Sequence, residues 1–240
     1  MSRKKPGRKT VLVYVEGPSD QTALVHAFET MYDSKSIHIE VLYGDLTSKR
    51  SVNPQNIVKK LGNKVSVFRE KYSLKPEDIE NIICILDTDG AYCDERFIQE
   101  RPGLHNFRYT EDCILANSKE AAADRNRRKA ENMNRLAGLR KVTQNRKVIP
   151  FEAYFMSCNL DHVLQNKLNL SDAEKEKGAY EFADKCSQNR AYCESFFSDP
   201  SIAVVGSLDE TWKFIRVDNR SLQRYTNLIN CFDAGEDIDN

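Results

Sequence analysis

Little in this chain assigns a class at a glance. Its 240 residues carry no net charge, because 36 Lys and Arg are matched by 36 Asp and Glu, so bulk charge announces no partner. The cysteines number seven, an odd count at irregular spacing without a CxxC pair, and the four histidines are scattered among them. That pattern excludes the common closed zinc arrangements and a paired disulfide framework, and it fits thiols kept reduced in the cytoplasm. No apolar run reaches membrane length, and the basic start leads into a short strand-like segment rather than a secretory core, so no membrane partner is expected. There is no internal repeat, no low-complexity linker and no GxxxxGK[ST] phosphate loop. With 40% apolar and 30% charged residues, the chain has the composition of an ordinary globular protein long enough to build a core.

The charges that cancel in total do not cancel locally. Residues 1–9 hold Arg3, Lys4, Lys5, Arg8 and Lys9 without an acid, and the last eight residues, 233–240, hold Asp233, Glu236, Asp237 and Asp239. Between residues 119 and 147 ten Lys or Arg face Glu120, Asp124 and Glu131. Within that block Arg125, Arg127, Arg128 and Lys129 crowd into little more than one helical turn, the best phosphate-contact candidates in the chain. A solvated helix face is the competing reading.

Hydrophobic periodicity gives the organisation. Residues 10–15 (TVLVYV) read as a short central strand, followed by Glu16-Gly17-Pro18-Ser19-Asp20, a turn in which Ser19 or Asp20 caps a helix over residues 20–32. Residues 37–43 read as a second strand leading to Asp45, residues 54–72 as a helix opened by Pro54, and residues 82–86 as a third strand. Beyond Gly90 the pattern predicts a short helix over 94–101, an irregular strand over 106–116, a long arginine-rich helix over 118–141 and a strand at 147–149. Pro150 is expected to open a helix containing FEAYFM, with helical patterning from there to residue 232, including a segment with the single tryptophan, Trp212. Strand and helix alternate through the first half, so an α/β fold with a mostly parallel sheet is expected, whose strand carboxyl ends share one edge.

That edge concentrates acids. The apolar run 82–86 stops at Asp87-Thr88-Asp89-Gly90, and alternate residues of an extended chain project to one side. Two carboxylates there call for a divalent cation, a lysine or arginine, or water. Glu16 ends an equivalent strand, and three carboxylates at neighbouring strand ends suit Mg²⁺, which takes carboxylate oxygen and keeps several waters. Such an ion lowers the pKa of an attacking water and stabilises charge on a phosphodiester, while Glu16 is alternatively a general base or acid. Turn chemistry competes, because Asp bonds nearby amides and Gly takes positive φ. Asp45 at the same edge is an accessory candidate; Asp94 and Glu95 are weaker ones. Asp161 and His162 read as a capping acid and a packed histidine, and Arg216, Arg220 and Arg224 suit surface pairs.

VLVYVEGPSD (11–20) and ICILDTDG (83–90) together resemble the two signature motifs of the Toprim domain, found in topoisomerases, bacterial primases, small RNA-processing nucleases and overcoming-lysogenisation-defect nucleases. Glu16 falls on the family's glutamate, and Asp87 and Asp89 fall on its paired aspartates. The resemblance covers roughly residues 10–116 and implies a Toprim-like α/β fold with a central, mostly parallel sheet, Mg²⁺ dependence (Mn²⁺ as substitute) and phosphoryl-transfer chemistry. It also brings Asp20 and Glu152 forward as additional metal ligands, the latter from a helix seen after the core in defence-associated relatives. The expected layout is a basic tail (1–9), a Toprim-like domain (10–149), a helical extension packed on it (150–232) and an acidic tail (233–240). The expected function is an Mg²⁺-dependent endonuclease acting on DNA or RNA, in phage defence or a mobile element, with a partner ATPase and with self-association open. A non-catalytic nucleic-acid or protein-binding module is the alternative, and an enzyme of nucleotides or small phosphate esters is a third.

Overall fold

A computed structural model describes residues 9–32, 36–41 and 46–236. Residues 1–8 of the basic tail, 237–240 of the acidic tail and Asp45 lie outside the described residues, while 233–236 form the end of a helix. Strand β1 (Thr10–Val15) runs into helix α1 (Pro18–Met31), and β2 (Ser36–Val41) follows; α2 (Ile57–Lys71) then leads to β3 (Ile79–Asp87). β1 pairs in parallel with both β2 and β3. The first connection therefore leaves β1 on one side and the second returns on the other, so the strand order reverses between β1 and β3. In open α/β sheets such a switch point opens a crevice at the strand carboxyl ends.

The sheet is completed in a way the sequence pattern did not indicate. After short strands β4 (Ile98–Glu100), β5 (Arg108–Tyr109) and β6 (Ile114–Ala116), helix α3 (Lys119–Ala137) is followed by β7 (Lys141–Gln144) and β8 (Lys147–Met156). β8 lies parallel to β3 and antiparallel to β7, giving a five-stranded mixed sheet in the order β2-β1-β3-β8-β7. Residues 150–156, expected as a helix, are thus the inner part of a central strand, and the expected domain boundary at 149/150 passes through it. Pro150 is tolerated because pairing with β3 begins only at Phe151, so its missing N–H costs no ladder bond on that side. The β pattern was hidden because Phe151, Ala153 and Phe155 face one core and Tyr154 and Met156 the other, leaving an almost unbroken apolar run.

The sheet is covered on both faces. Val11, Val13 and Val15 of β1 pack with α1 and with α4 (Leu160–Gln165), α5 (Asp172–Gln188), α6 (Arg190–Phe197) and α8 (Ile229–Glu236). Leu12 and Tyr14 pack with α2, α3 and α7 (Leu208–Ile215), where Trp212 is buried and donates to the Ala153 carbonyl at 2.9 Å. The expected single strand over 106–116 is two short ones, which form a three-stranded sheet with β4, ordered β4-β6-β5, beneath the start of α3. The fold is α/β, with a mostly parallel central sheet between helical layers.

Candidate functional site

Three carboxylates, Glu16, Asp87 and Asp89, come from the switch point itself. β1 and β3 lie side by side, so Glu16 follows the end of one and Asp87 ends the other. Asp20, in the first turn of α1, is buried and reaches back so that its Oδ2 accepts the Gly17 N–H at 2.8 Å. That bond closes the Glu16–Gly17 turn and places a fourth acid behind it.

The Asp87-Thr88-Asp89-Gly90 loop is clamped rather than free. Backbone N–H groups of Thr88 and Asp89 donate to the carbonyls of Met156 (2.9 Å) and Cys158 (2.7 Å), carrying the β3–β8 register past the strand ends. Thr88 Oγ1 donates to the Ser221 carbonyl (2.7 Å) and accepts from Cys158 N–H (2.8 Å). Asp89 and Gly90 both have positive φ, 48° and 67°, a conformation that Asp tolerates and Gly favours. A Cβ on Gly90 would stand 2.5 Å from Leu222 Cδ2 and 2.9 Å from Ile114 Cδ1. The turn chemistry and the acid placement are therefore one feature: the αL turn is what aims Asp89.

The positive partner at this edge is Lys129. Its side chain is fully buried, with Nζ 2.6 Å from Asp89 Oδ2 and 3.5 Å from Glu16 Oε2. This corrects its assignment as a nucleic-acid contact. The basic cluster is not a face at all, because successive helix residues point about 100° apart. Arg125 turns inward, donating to the Asp89 carbonyl (3.0 Å) and to Tyr109 Oη (2.6 Å), and Arg128 donates to the Ser48 carbonyl (2.9 Å). Arg127 is exposed, paired with Asp124 (3.0 Å) and Glu95 (3.5 Å).

Asp87 is left with the heaviest electrostatic load. Burial raises its pKa well above the ordinary carboxylate value, and Asp20, Glu16 and Asp89 push the same way while Lys129 opposes them. Its Oδ1 accepts the Leu160 N–H at 3.0 Å, at the start of α4. Burial likewise lifts Asp20 to about 6, with the Asp161 charge adding to it and the Gly17 N–H opposing. Asp161 pairs with Lys175 at 3.2 Å. His162 is packed, and burial followed by the Arg224 charge lowers its pKa to about 4.

The remaining candidates lie elsewhere. Glu152 pairs with Ile83 in mid-sheet, four residues before the end of β8, and accepts the Tyr154 hydroxyl at 3.1 Å, so it stands away from the acid edge. Asp94 accepts the Arg96 N–H at 2.9 Å, an ordinary cap. Arg216 and Arg220 stack on Tyr92 and Phe214, and Arg224 donates to the Val163 carbonyl.

Four carboxylates around one buried ammonium have the charge and the hard oxygen donors that a divalent cation takes. Lys129, bonded to Asp89 and near Glu16, divides the set. Among the described residues no three His, Cys, Asp or Glu side chains converge on a common point. All seven cysteines are buried free thiols, and among the described residues no helix is long and apolar enough to cross a membrane. The chain matches no family model, no curated protein and no solved structure.

Proposed function

We propose that the protein is an Mg²⁺-dependent nuclease that hydrolyses phosphodiesters of DNA or RNA at the edge where β1 and β3 end. The observation that carries the proposal is the excess of negative charge there: Glu16, Asp20, Asp87 and Asp89 against the Lys129 ammonium and that of Lys175, which is itself paired with Asp161, with burial and the neighbouring acids raising the Asp87 pKa. A fold gains no stability from gathering like charges at a switch-point crevice, so the arrangement supports a role for added positive charge. Asp87, Asp89 and Glu16 would hold the ion, with Asp20 behind them, once the Lys129 ammonium gives up Asp89, because the three acids do not converge while it is in place. When bound, Mg²⁺ or Mn²⁺ supplies charge stabilisation to phosphoryl oxygens and a water of lowered pKa. Lys129 orients Asp89 and Glu16, and Arg125 fixes the Asp89 backbone. The two motifs that resemble Toprim signatures sit on adjacent parallel strands, which supports a Toprim-like reading of this half of the fold.

A second reading, a non-catalytic binding module, is favoured by one observation: Lys129 already satisfies Asp89 and contacts Glu16. Incubation with plasmid, single-stranded DNA and tRNA in Mg²⁺ or Mn²⁺, beside Asp87→Ala, separates the two. The nuclease reading expects metal-dependent cleavage reduced by roughly 100-fold or more in the variant. Intact substrates throughout would leave the binding module.

A further inference from the structure

We propose that the cavity beside the acid edge is a nucleobase pocket, which takes the base of the nucleotide whose phosphate meets the acids. This rests on the phosphodiester reading of the acid edge but is tested apart from it. The cavity is a cleft of about 510 Å³, open to solvent on one side, between strand β5 and the start of α5, and its walls include Asn106, Phe107, Tyr109, Asn159, Asp161 and Lys175. That volume lies within the roughly 300–1,000 Å³ of small-ligand sites.

Its walls are built, not incidental. The Asn169 side chain clamps both backbone groups of Tyr109, accepting its N–H and donating to its carbonyl at 2.8 Å each, which ties β5 to the turn before α5. The Arg125 guanidinium stacks on Phe107 at 4.6 Å, so that ring is held by its neighbour rather than by whatever fills the cavity.

The same residues join the cavity to the acids. Arg125 bridges the Asp89 carbonyl and the Tyr109 hydroxyl. On the opposite side, Leu160 donates to Asp87, and the next residue, Asp161, lines the cavity.

The lining chooses the ligand. Asp161, Asp172 and Glu174 outnumber Arg108 and Lys175, so the cavity disfavours a phosphate. Two aromatic rings, side-chain amides and one acid–lysine pair suit a neutral planar heterocycle that stacks on its faces and hydrogen-bonds at its edges. Stacking of unpaired bases on aromatic side chains is how single strands are held with little sequence preference. A paired base has its edges and faces already occupied, so the site expects an unpaired base, from a single strand or from a free nucleotide.

The test measures binding without metal. Single-stranded DNA and RNA oligonucleotides carrying 2-aminopurine are titrated with the full chain in EDTA, beside the same strands in duplex and beside free 2-aminopurine nucleoside monophosphate. The expected result is quenching on single strands, weak or no binding of duplex, and affinity about 5- to 150-fold lower for Phe107→Ala. If Phe107→Ala does not fold, the quenching and an abasic oligonucleotide, expected to bind more weakly, carry the same information with the native chain. Saturable quenching by the monophosphate without binding of strands supports the pocket and assigns the base to a free nucleotide. Equal binding of duplex and single strand, no binding of any probe, or no effect of both the abasic site and Phe107→Ala overturns it. Metal-dependent cleavage that Phe107→Ala leaves unchanged overturns the pocket while the nuclease reading stands. Base-dependent binding without cleavage in Mg²⁺ supports the pocket and removes the nuclease.

Discussion

Lys129 Nζ lies 2.6 Å from Asp89 Oδ2 on a side chain with 0% exposure, and Asp89 itself is held in an αL turn by the ends of β3 and β8. A buried ammonium is retained when its partners are equally fixed, and removing one partner of such a pair leaves an uncompensated charge. Lys129→Met is therefore expected to destabilise the fold by about 3–5 kcal/mol at pH 7, read from the urea midpoint. Part of that loss should return on adding Mg²⁺ at millimolar concentration. An unchanged midpoint would show that the pair contributes nothing to the folded state.

The acids also set a pH dependence. Asp20 is raised from the ordinary 3.8 to about 6, and burial raises Asp87 in the same direction. Each holds its proton more tightly folded than unfolded, so the stability each contributes falls as pH rises, for Asp20 through about 4 to 6. His162, lowered from 6.5 to about 4, works oppositely in the same window: its contribution is lost as pH falls. Asp20→Asn keeps an oxygen for the Gly17 N–H and removes the charge. It is expected to raise stability at pH 7 by about 1–3 kcal/mol and, with the His162 contribution left alone, to make stability rise more steeply with pH between 4 and 6. Thermal denaturation across that range checks it; parallel profiles for variant and native chain would count against the charge account.

Gly90 has a sharper requirement. Gly90→Ala adds a Cβ at φ 67° into the space of Leu222 and Ile114, so the turn must shift and carry Asp89 away from Lys129. A loss of roughly 1–3 kcal/mol is expected from the backbone conformation alone. Under the proposed function cleavage should fall with it, whereas Gly103→Ala, which carries the same kind of backbone strain at φ 91° but meets no neighbour within 4 Å, should lose stability and leave cleavage unchanged. Full activity in Gly90→Ala would mean that the turn does not aim Asp89.

Much of the acid edge was legible because local chemistry and chain order agree there. Apolar runs of strand length end in Glu16 and Asp87, and the helices α1 and α2 with β2 between them return the chain so that the two strands run parallel. The basic block around Lys129 has the composition of a surface. The signal for Lys129 was geometric: Ala122, Asn126, Lys129, Met133 and Leu136 lie at helical spacing, and all five are buried. A lysine inside such a stripe implies an acid facing it. The helix expected from Pro150 failed for a different reason, since a strand buried on both faces loses its alternation and a proline reads equally as a helix start. Glu152, expected on that helix, lies instead in the middle of β8.

Manganese binding tests the central claim most directly. Titration of the native chain with Mn²⁺, followed by calorimetry or by loss of the free-ion paramagnetic resonance signal, is expected to show saturable binding that weakens as pH falls below about 6, where Asp20 takes up its proton. Asp87→Asn is expected to abolish that binding while raising thermal stability at pH 7. Binding that survives in Asp87→Asn, or no binding by a folded native chain, would contradict the assignment of the acid edge as a cation-dependent site.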